Sequence, residues 1–477
     1  MRYVQGYDRE QQLLLPESIE EYVTTENPVR VIEAYVESLD LTKLGFRYAT
    51  TEATGRKPYD PADLLKLYLY GYLNKTRSSR QLEKATSRNL EVIWLLRKLH
   101  PDHKTIADFR KDNIAPLKKV CREFTLLCHK LKLFGGELIA IDGSKFSAVN
   151  HNSRSFTKKK LLQLIRAIDA KIATYLNGLD EQDQVETKIP GVTANNVQEK
   201  IAQLREHKAE VEKLQAELEA SGETQIALTD SDSRLMQTAA FGTDVCYNVQ
   251  IVTDAKHKLI VTHEVTNAHN DRNQLSHMAK QAKAILGVAA LAATADAGYF
   301  KKAELKKCED EDITCYVPLP ETSINEQRGL YAEAEFHYDA AHDCYRCPAQ
   351  QELTFRGEAE KDGLHVRVYE GVACKACPLR SCCTKSRRNN RRIYRWVHEA
   401  VIEKLRARLA QHPDKVKQRG RLVEHPFGTL KHVMASGYFL LRGKGNVSAE
   451  MSLSVLGYNF KRVLNILGVK ALLAALV

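Results

Sequence analysis

No run of apolar residues in this sequence is long enough to cross a bilayer. The most apolar terminal stretch, Val463 to Val477, is broken by Lys470 and falls short of the roughly 20 residues a spanning helix needs, so it is expected to pack as a helix of a soluble protein. The opening "MRYVQGYDREQQLLLPESIEEYV" has no apolar centre of the signal-peptide kind and carries acids early, which predicts a cytoplasmic protein. The 11 cysteines then belong to a reducing compartment, as thiols or metal ligands more than as disulfides. Acid is locally scarce too. Between Asp414 and Glu450 the single carboxylate is Glu424, in a stretch otherwise set with Lys, Arg and His. Over the whole chain Lys and Arg outnumber Asp and Glu by 71 to 60, a net charge of +11, and such an excess attracts polyanions. A length of 477 residues excludes a peptide scaffold and predicts more than one domain.

Residues 1–130 read as an all-helical domain. Leu64, Leu65, Tyr68, Leu69 and Tyr72 recur at helical spacing behind Pro61, and the pattern breaks at Lys75 to Arg80. A second amphipathic stretch runs from Leu82 to Leu99, and a third follows "PDHKT", with Thr105 as its cap. Short helices joined by basic turns suit a DNA-binding helix-turn-helix unit and equally an ordinary bundle with solvated charges.

In "GGELIAIDGSKFSAVN" the apolar run Leu138 to Ile141 opens at Gly135 and Gly136 and closes at Asp142 and Gly143, which predicts a strand ending at Asp142. Residues 131–157 are thus the first part of a sheet core. Two amphipathic helices interrupt it over 158–225, with stripes Leu161, Ile165, Ile168, Ile172, Tyr175 and Val197, Ile201, Leu204, Val211, Leu214, Leu218, joined by a polar linker carrying Gly191. They read as an inserted helical hairpin with roughly coiled-coil packing. Over 226–335 the period changes. "DVCYNVQIVTDAKHKLIVTHEVTNAHN" alternates around a turn at Asp254 to His257. A helix, a strand ending at Asp296 and Gly298, another helix and the strand "DITCYVPLP" follow, which predicts a mixed sheet flanked by helices.

Residues 336–390 hold "CYRCP" with Cys344 and Cys347, "CKACP" with Cys374 and Cys377, then Cys382 and Cys383. Paired CxxC turns can supply four thiolates to a tetrahedral Zn2+. The gap between the pairs exceeds the usual separation, so free buried thiols stay open, as do Cys382 or Cys383 as alternative ligands.

Three acids stand apart. Asp142 and Asp296 end predicted strands, with Gly143 and Gly298 beside them to allow close backbone approach. Glu424 lies in the last segment, 391–477, seven residues before Lys431. That spacing is two helical turns and puts acid and cation on one face, unless Pro426 starts or kinks the helix there. "AIDGSKF", "TADAGYF" and "VEHPFGTLK", followed by "FLLRG" and "EMSLSVLGYNFKR", resemble the DDE-type transposases of bacterial insertion sequences, which have an RNase H-like catalytic core. The resemblance covers most of the chain, including "YDPADLLKLYLYGYL" and the cysteine insert. It implies an RNase H-like mixed sheet and the metal-binding triad Asp142, Asp296 and Glu424. It also implies two Mg2+ or Mn2+ ions, cleavage of terminal inverted repeats and joining to target DNA, and a homodimer on double-stranded DNA near the nucleoid, with no membrane role. Lys431 would hold a phosphate. One departure stands out: where some relatives carry a tyrosine and an arginine upstream of the glutamate, this chain has Lys417 and Gly420, with Arg419 or Arg421 as substitutes. Two rivals remain, a nuclease without strand transfer and a DNA-binding derivative without catalysis.

Lys145, Arg154, Lys158 to Lys160 and Arg442 are phosphate contacts or solvated charges. Asp271 in "THEVTNAHNDRNQL" reads as a helix N-cap, with His263 and His269 within reach of the site. His425 reads as solvated or capping, and Asp230 and Asp232 rank below Asp142 as acids beside the sheet.

Overall fold

A computed structural model describes residues 18–50, 57–184, 194–238, 242–320, 328–386 and 388–476. The segment before residue 18, the linker around Gly191 and the side chain of Val197 lie outside that description. Seven helices come first: α1 (Pro28–Glu37), α2 (Leu41–Leu44), α3 (Pro61–Leu73), α4 (Ser79–Arg88), α5 (Leu90–Leu95), α6 (His103–Asp112) and α7 (Ile114–Lys130). Pro61 takes the first turn of α3 behind the Asp60 cap, where its missing N–H costs nothing. The stretch expected as one helix from Leu82 to Leu99 is two, divided at Asn89, whose side chain caps α5 through Val92 N. The cap of α6 is Asp102 and not Thr105: the Asp102 carboxylate accepts from Thr105 N at 2.7 Å.

Strand β1 (Leu138–Ser147) does not end at Asp142. It runs ten residues, because a neighbour pairs with it from Ile139 to Ser147 and carries the ladder past the Asp-Gly step. β2 (Ser155–Thr157) and β3 (Gln225–Ala227) pair at the root of the expected hairpin, α8 (Lys158–Gln184) and α9 (Ala194–Ser221). Leu161, Ile168, Val211 and Leu218 form its buried seam, while Tyr175, nearer the tip, is exposed. β4 (Arg234–Thr238), β5 (Gly242–Asp254), β6 (Ile260–Thr266), α10 (Leu275–Leu286), β7 (Leu291–Thr294), α11 (Lys302–Glu309) and β8 (Ile313–Tyr316) complete the sheet. The order is β4-β5-β1-β7-β8, with β6 also on β5. β1 is antiparallel to β5 and parallel to β7, which is parallel to β8. This is the helix-flanked mixed sheet that the sequence predicts.

The cysteine insert is an antiparallel sheet of its own, β9 (His337–Asp339), β10 (Cys344–Arg346), β11 (Glu352–Lys361), β12 (Leu364–Gly371) and β13 (Arg392–Trp396), with the short helix α12 (Arg380–Cys383) before β13. α13 (Glu399–Gln411), α14 (Pro413–Gly428) and α15 (Lys444–Leu476) close the chain. Gly468 interrupts α15 at φ 76°, a left-handed conformation that a Cβ would disfavour.

One buried cluster runs from Val23 to Leu472, so the amino-terminal helices share their core with the sheet and with α15. Tyr35 of α1, Phe124 of α7 and Phe460 of α15 pack ring to ring, Tyr35 to Phe124 at 5.1 Å and Phe124 to Phe460 at 5.2 Å. Arg77, in the expected basic break, is buried. It donates to Tyr438 O and lies 3.3 Å from Glu450 of α15. Glu450 accepts from the N–H groups of Leu440 and Leu441. No helix among the described residues is long and apolar enough to cross a membrane.

Candidate functional site

The pairing of β1 changes at its midpoint. β7 accompanies it only from Leu138 to Ala140, whereas β5 continues to Ser147. Among the described residues, therefore, no strand pairs with the β7 flank of the central strand from Ile141 to Phe146, before Ser147 bridges Tyr438, and this gap lies at the carboxyl end of the parallel pair where open α/β sheets bind ligands. Asp142 stands near the start of that gap. Asp296 stands two residues past the end of β7, its carboxylate accepting from Gly298 N at 2.8 Å to cap the turn Ala297–Tyr299.

Asp142 is mostly buried. Its Oδ1 accepts from Gly143 N at 2.9 Å, and its Oδ2 lies 3.2 Å from Arg419 Nη1. Burial raises its carboxyl to about 6; Arg419 opposes that shift, and Asp296 and Asp271 add to it. Two further acids therefore act on Asp142.

Glu424 lies within α14, eleven residues after Pro413 and ahead of Pro426, and so does not precede a helix. The ring at Pro426 has no N–H to give. The helix passes over it into a wider π-type turn, Thr429–Val433, which breaks the simple seven-residue register. Leu422 and Val423 of α14 pack on Leu138 and Ala140 of β1, and this contact lays the helix against the acid-bearing strand. Glu424 is exposed, beside Gly420 one turn back, where a Cβ would lie 3.2 Å from its Oε1. Gly420, expected as a departure from the family, thus leaves space for this carboxylate. Among the described residues no three His, Cys, Asp or Glu side chains stand at ion-holding separations, so the three acids do not converge as they stand.

Lys431 turns to β1. Its Nζ donates to Ser144 Oγ at 2.6 Å and Lys145 O at 2.8 Å, and lies 4.8 Å from the Phe146 ring centroid. Lys145 Nζ is 3.9 Å from Asp271 Oδ1. Burial pulls both ammonium groups below their ordinary range. Arg421, Arg442 and Arg154 are exposed. Asp230 and Asp232 hold the start of α15 by accepting from Gly443 N and Lys444 N. His263 is half-buried against Ser452 and lines a separate cavity of about 420 Å³ with Lys118 and Arg122. His269 contacts Asn270, and His425 meets Tyr458 Oη.

Asp271 is the residue that sequence reasoning misplaced. The N-cap of α10 is Gln274, and Asp271 instead faces the sheet. Its Oδ1 accepts from Asn248 Nδ2 and Gln250 Nε2, both at 2.6 Å, and would lie 2.8 Å from a Cβ at Gly143. Gln250 is also the acceptor of Tyr299 Oη, from the turn that Asp296 caps. A buried polar chain thus ties the Asp296 turn to the backbone next to Asp142. The available signal was "YNVQIV": Asn248 and Gln250 occupy the alternating polar positions of a strand that is buried on both faces.

Of the six insert thiols, Cys347, Cys374, Cys377 and Cys383 line one small cavity, whereas Cys344 is buried in β10 and Cys382 is exposed.

Two family models match the chain, one described as Transposase domain (DUF772) over residues 17–112 and one as Transposase DDE domain over residues 346–464. No curated protein matches it. Among solved structures it is similar to a chain in the cryo-EM structure of piggyBac transposase synaptic complex with hairpin DNA, at 9% identity and a TM-score of 0.33, over 93% of this chain and 76% of that one.

Proposed function

We propose, on the premise that a chain carrying these two matched segments is a DDE-type transposase, that it binds the terminal inverted repeats of a bacterial insertion sequence as double-stranded DNA, cuts at their ends and joins them to target DNA. The observation that supports this most is the gap beside β1 from Ile141 to Phe146, next to which Asp142, Asp296 and two half-buried lysines lie near the helix carrying Glu424. Carboxylates are the hard oxygen donors that Mg2+ or Mn2+ takes. A buried carboxyl pushed up by burial and by neighbouring acids is one that a divalent cation would relieve. Asp142, Asp296 and Glu424 would hold two such ions, which when bound activate an attacking oxygen and stabilise the leaving one.

The chain's own groups do the rest. Arg419 offsets the charge of Asp142 as the protein stands, and with cations held by the acids its guanidinium would be available to a backbone phosphate. Lys431, anchored on Ser144 and Lys145, stands beside Asp142 to hold the phosphate being cut, and Lys145 adds a second cation. Arg421 and Arg442 extend the contact along the duplex. Handling two ends together calls for a homodimer on DNA, with the α8–α9 hairpin as its assembly surface, at work on the chromosome in the cytoplasm.

A supercoiled plasmid bearing the element's ends tests this. With Mg2+ the protein is expected to nick at the ends and yield joined products, while Asp142→Asn, Asp296→Asn and Glu424→Gln bind the ends and leave them intact. Nicking with no joined product would reduce the reading to a nuclease. Cutting that survives all three substitutions would overturn it.

A further inference from the structure

Among the described residues the insert has a separate buried cluster of five, Phe336, Tyr345, Leu353, Tyr369 and Ile393, with Cys347 and Cys383 packed against it, while Val366 and Trp396 join the main core. So few buried side chains are a weak basis for five strands and their loops, and small folds of this kind usually carry a further fastening.

The six thiols are not equivalent. Cys347 follows β10, Cys374 and Cys377 flank a single turn after β12, and Cys383 ends α12, yet all four line one cavity of about 30 Å³, room for a single ion or water. Cys347 and Cys383 also pack against the insert's own buried cluster. Cys344 and Cys382 do not line that cavity. Cys344 pairs across the ladder with Asp339, and Cys382 turns outward to Ser381.

The surroundings suit thiolates. Gln351 N donates to Cys347 Sγ at 3.3 Å from a turn closed by Gln350 N on Cys347 O. Arg380 donates to Cys374 O at 2.7 Å and Arg391 to Cys383 O at 3.0 Å, and both guanidinium side chains line the same cavity. Backbone carbonyls, Ser386 O for Arg380 and Tyr331 O for Arg391 among them, fix both cations where their charge would offset that of thiolates. Gly371 leaves the space in which a Cβ would stand 2.5 Å from Cys374 Sγ. The sulfurs surround the cavity without converging on a point.

We propose that Cys347, Cys374, Cys377 and Cys383 are the ligands of a structural Zn2+, and that Cys344 and Cys382 are not. The expected CxxC pairing holds at Cys374 and Cys377 and fails at Cys344, which β10 turns away. Each thiol gives up its proton on binding, so Zn2+ and four thiols yield a dianionic tetrathiolate and release four protons. Arg380 and Arg391 offset that charge. The ion joins three chain segments around the insert's small core.

Elemental analysis of the full chain, purified without added metal, is expected to find about one zinc per chain. Cys344→Ser and Cys382→Ser keep it, and Cys347→Ser and Cys383→Ser lose it. Because the losing variants risk unfolding, the unaltered chain and Cys344→Ser are also reloaded with Co2+ after chelation. Both should show the same strong sulfur-to-cobalt absorption of a tetrahedral thiolate site. A folded, zinc-free unaltered chain, or zinc lost from Cys344→Ser and kept in Cys383→Ser, would overturn the assignment. Neither readout depends on DNA cleavage, so this site and the transposase reading fail separately.

Discussion

Two groups of acids show how differently one chain can use a carboxylate. Glu450 is fully buried, and its oxygens are taken up by Arg77 and by the Leu440 and Leu441 N–H groups, with Arg110 near enough to act on its charge. It joins the turn before α4 to the segment ahead of α15. Asp142 is also largely buried, yet its cationic partner is Arg419, a half-buried arginine on a helix that must carry Glu424 as well, and Asp296 and Asp271 press on it with like charge. Burial raises the first carboxyl as well, but two backbone N–H groups and a buried arginine of its own fold meet its oxygens. The second is held in a state that an added cation would improve, which separates an architectural acid from one kept for a ligand.

Glu450→Ala should have the largest effect. It strands buried Arg77 and Arg110 without their counter-charge, a loss of about 3–5 kcal/mol for a broken buried pair; urea denaturation or soluble yield would register it, and unchanged stability would erase the contrast.

Asp142→Asn should act in the opposite sense on stability. A carboxyl whose folded pKa is raised to about 6, against an ordinary value near 4, makes the fold lose stability as pH rises from about 4 through 6. The asparagine variant is expected to lack that slope and to be more stable than the parent at neutral pH, by on the order of 2 kcal/mol. Added Mg2+ should raise the melting temperature of the parent and not of the variant. Parallel pH profiles of the two would refute the account of Asp142.

Asp271→Asn sharpens the comparison further. Removing one like charge while keeping an oxygen for Asn248 and Gln250 should leave melting nearly unchanged yet slow Mg2+-dependent cutting about 10–100-fold, the usual effect of disturbing groups that orient metal-binding residues. Equal activity would make Asp271 a bystander. The smallest effect belongs to Arg419→Ala: loss of a partly exposed pair should change stability by less than about 1 kcal/mol, while lowering the Mg2+ concentration needed for half-maximal cutting. A rise in that concentration would show that Arg419 assists the site and does not merely shield it.

Much of this was legible in residues alone because it is local. Pro61 behind Asp60, the stripes of the α8–α9 hairpin and the alternation through β5 and β6 each state their own structure within a dozen residues. Three failures share a different cause. Asp142 was read as a strand end because Asp-Gly is a stop signal in isolation, whereas β5, about a hundred residues later, extends the strand. Asp271 was read as a cap because Gln250 and Asn248 sit across the sheet and out of local view. Cys344 was paired with Cys347 by spacing, but a strand sends alternate side chains to opposite faces, and where it ends decides which thiols meet. What could not be read was set by partners remote in the chain.

The sharing of one core between α1, α3, α7 and α15 has a consequence for how the molecule is made. Helices α1, α3 and α7 are made before α15, and keep an apolar side uncovered until the stretch with Phe460 and Leu472 has been synthesised. A reading frame cut short by a late stop codon would leave those early helices exposed and prone to degradation, so truncated copies of such a gene are poorly placed to accumulate as competing fragments.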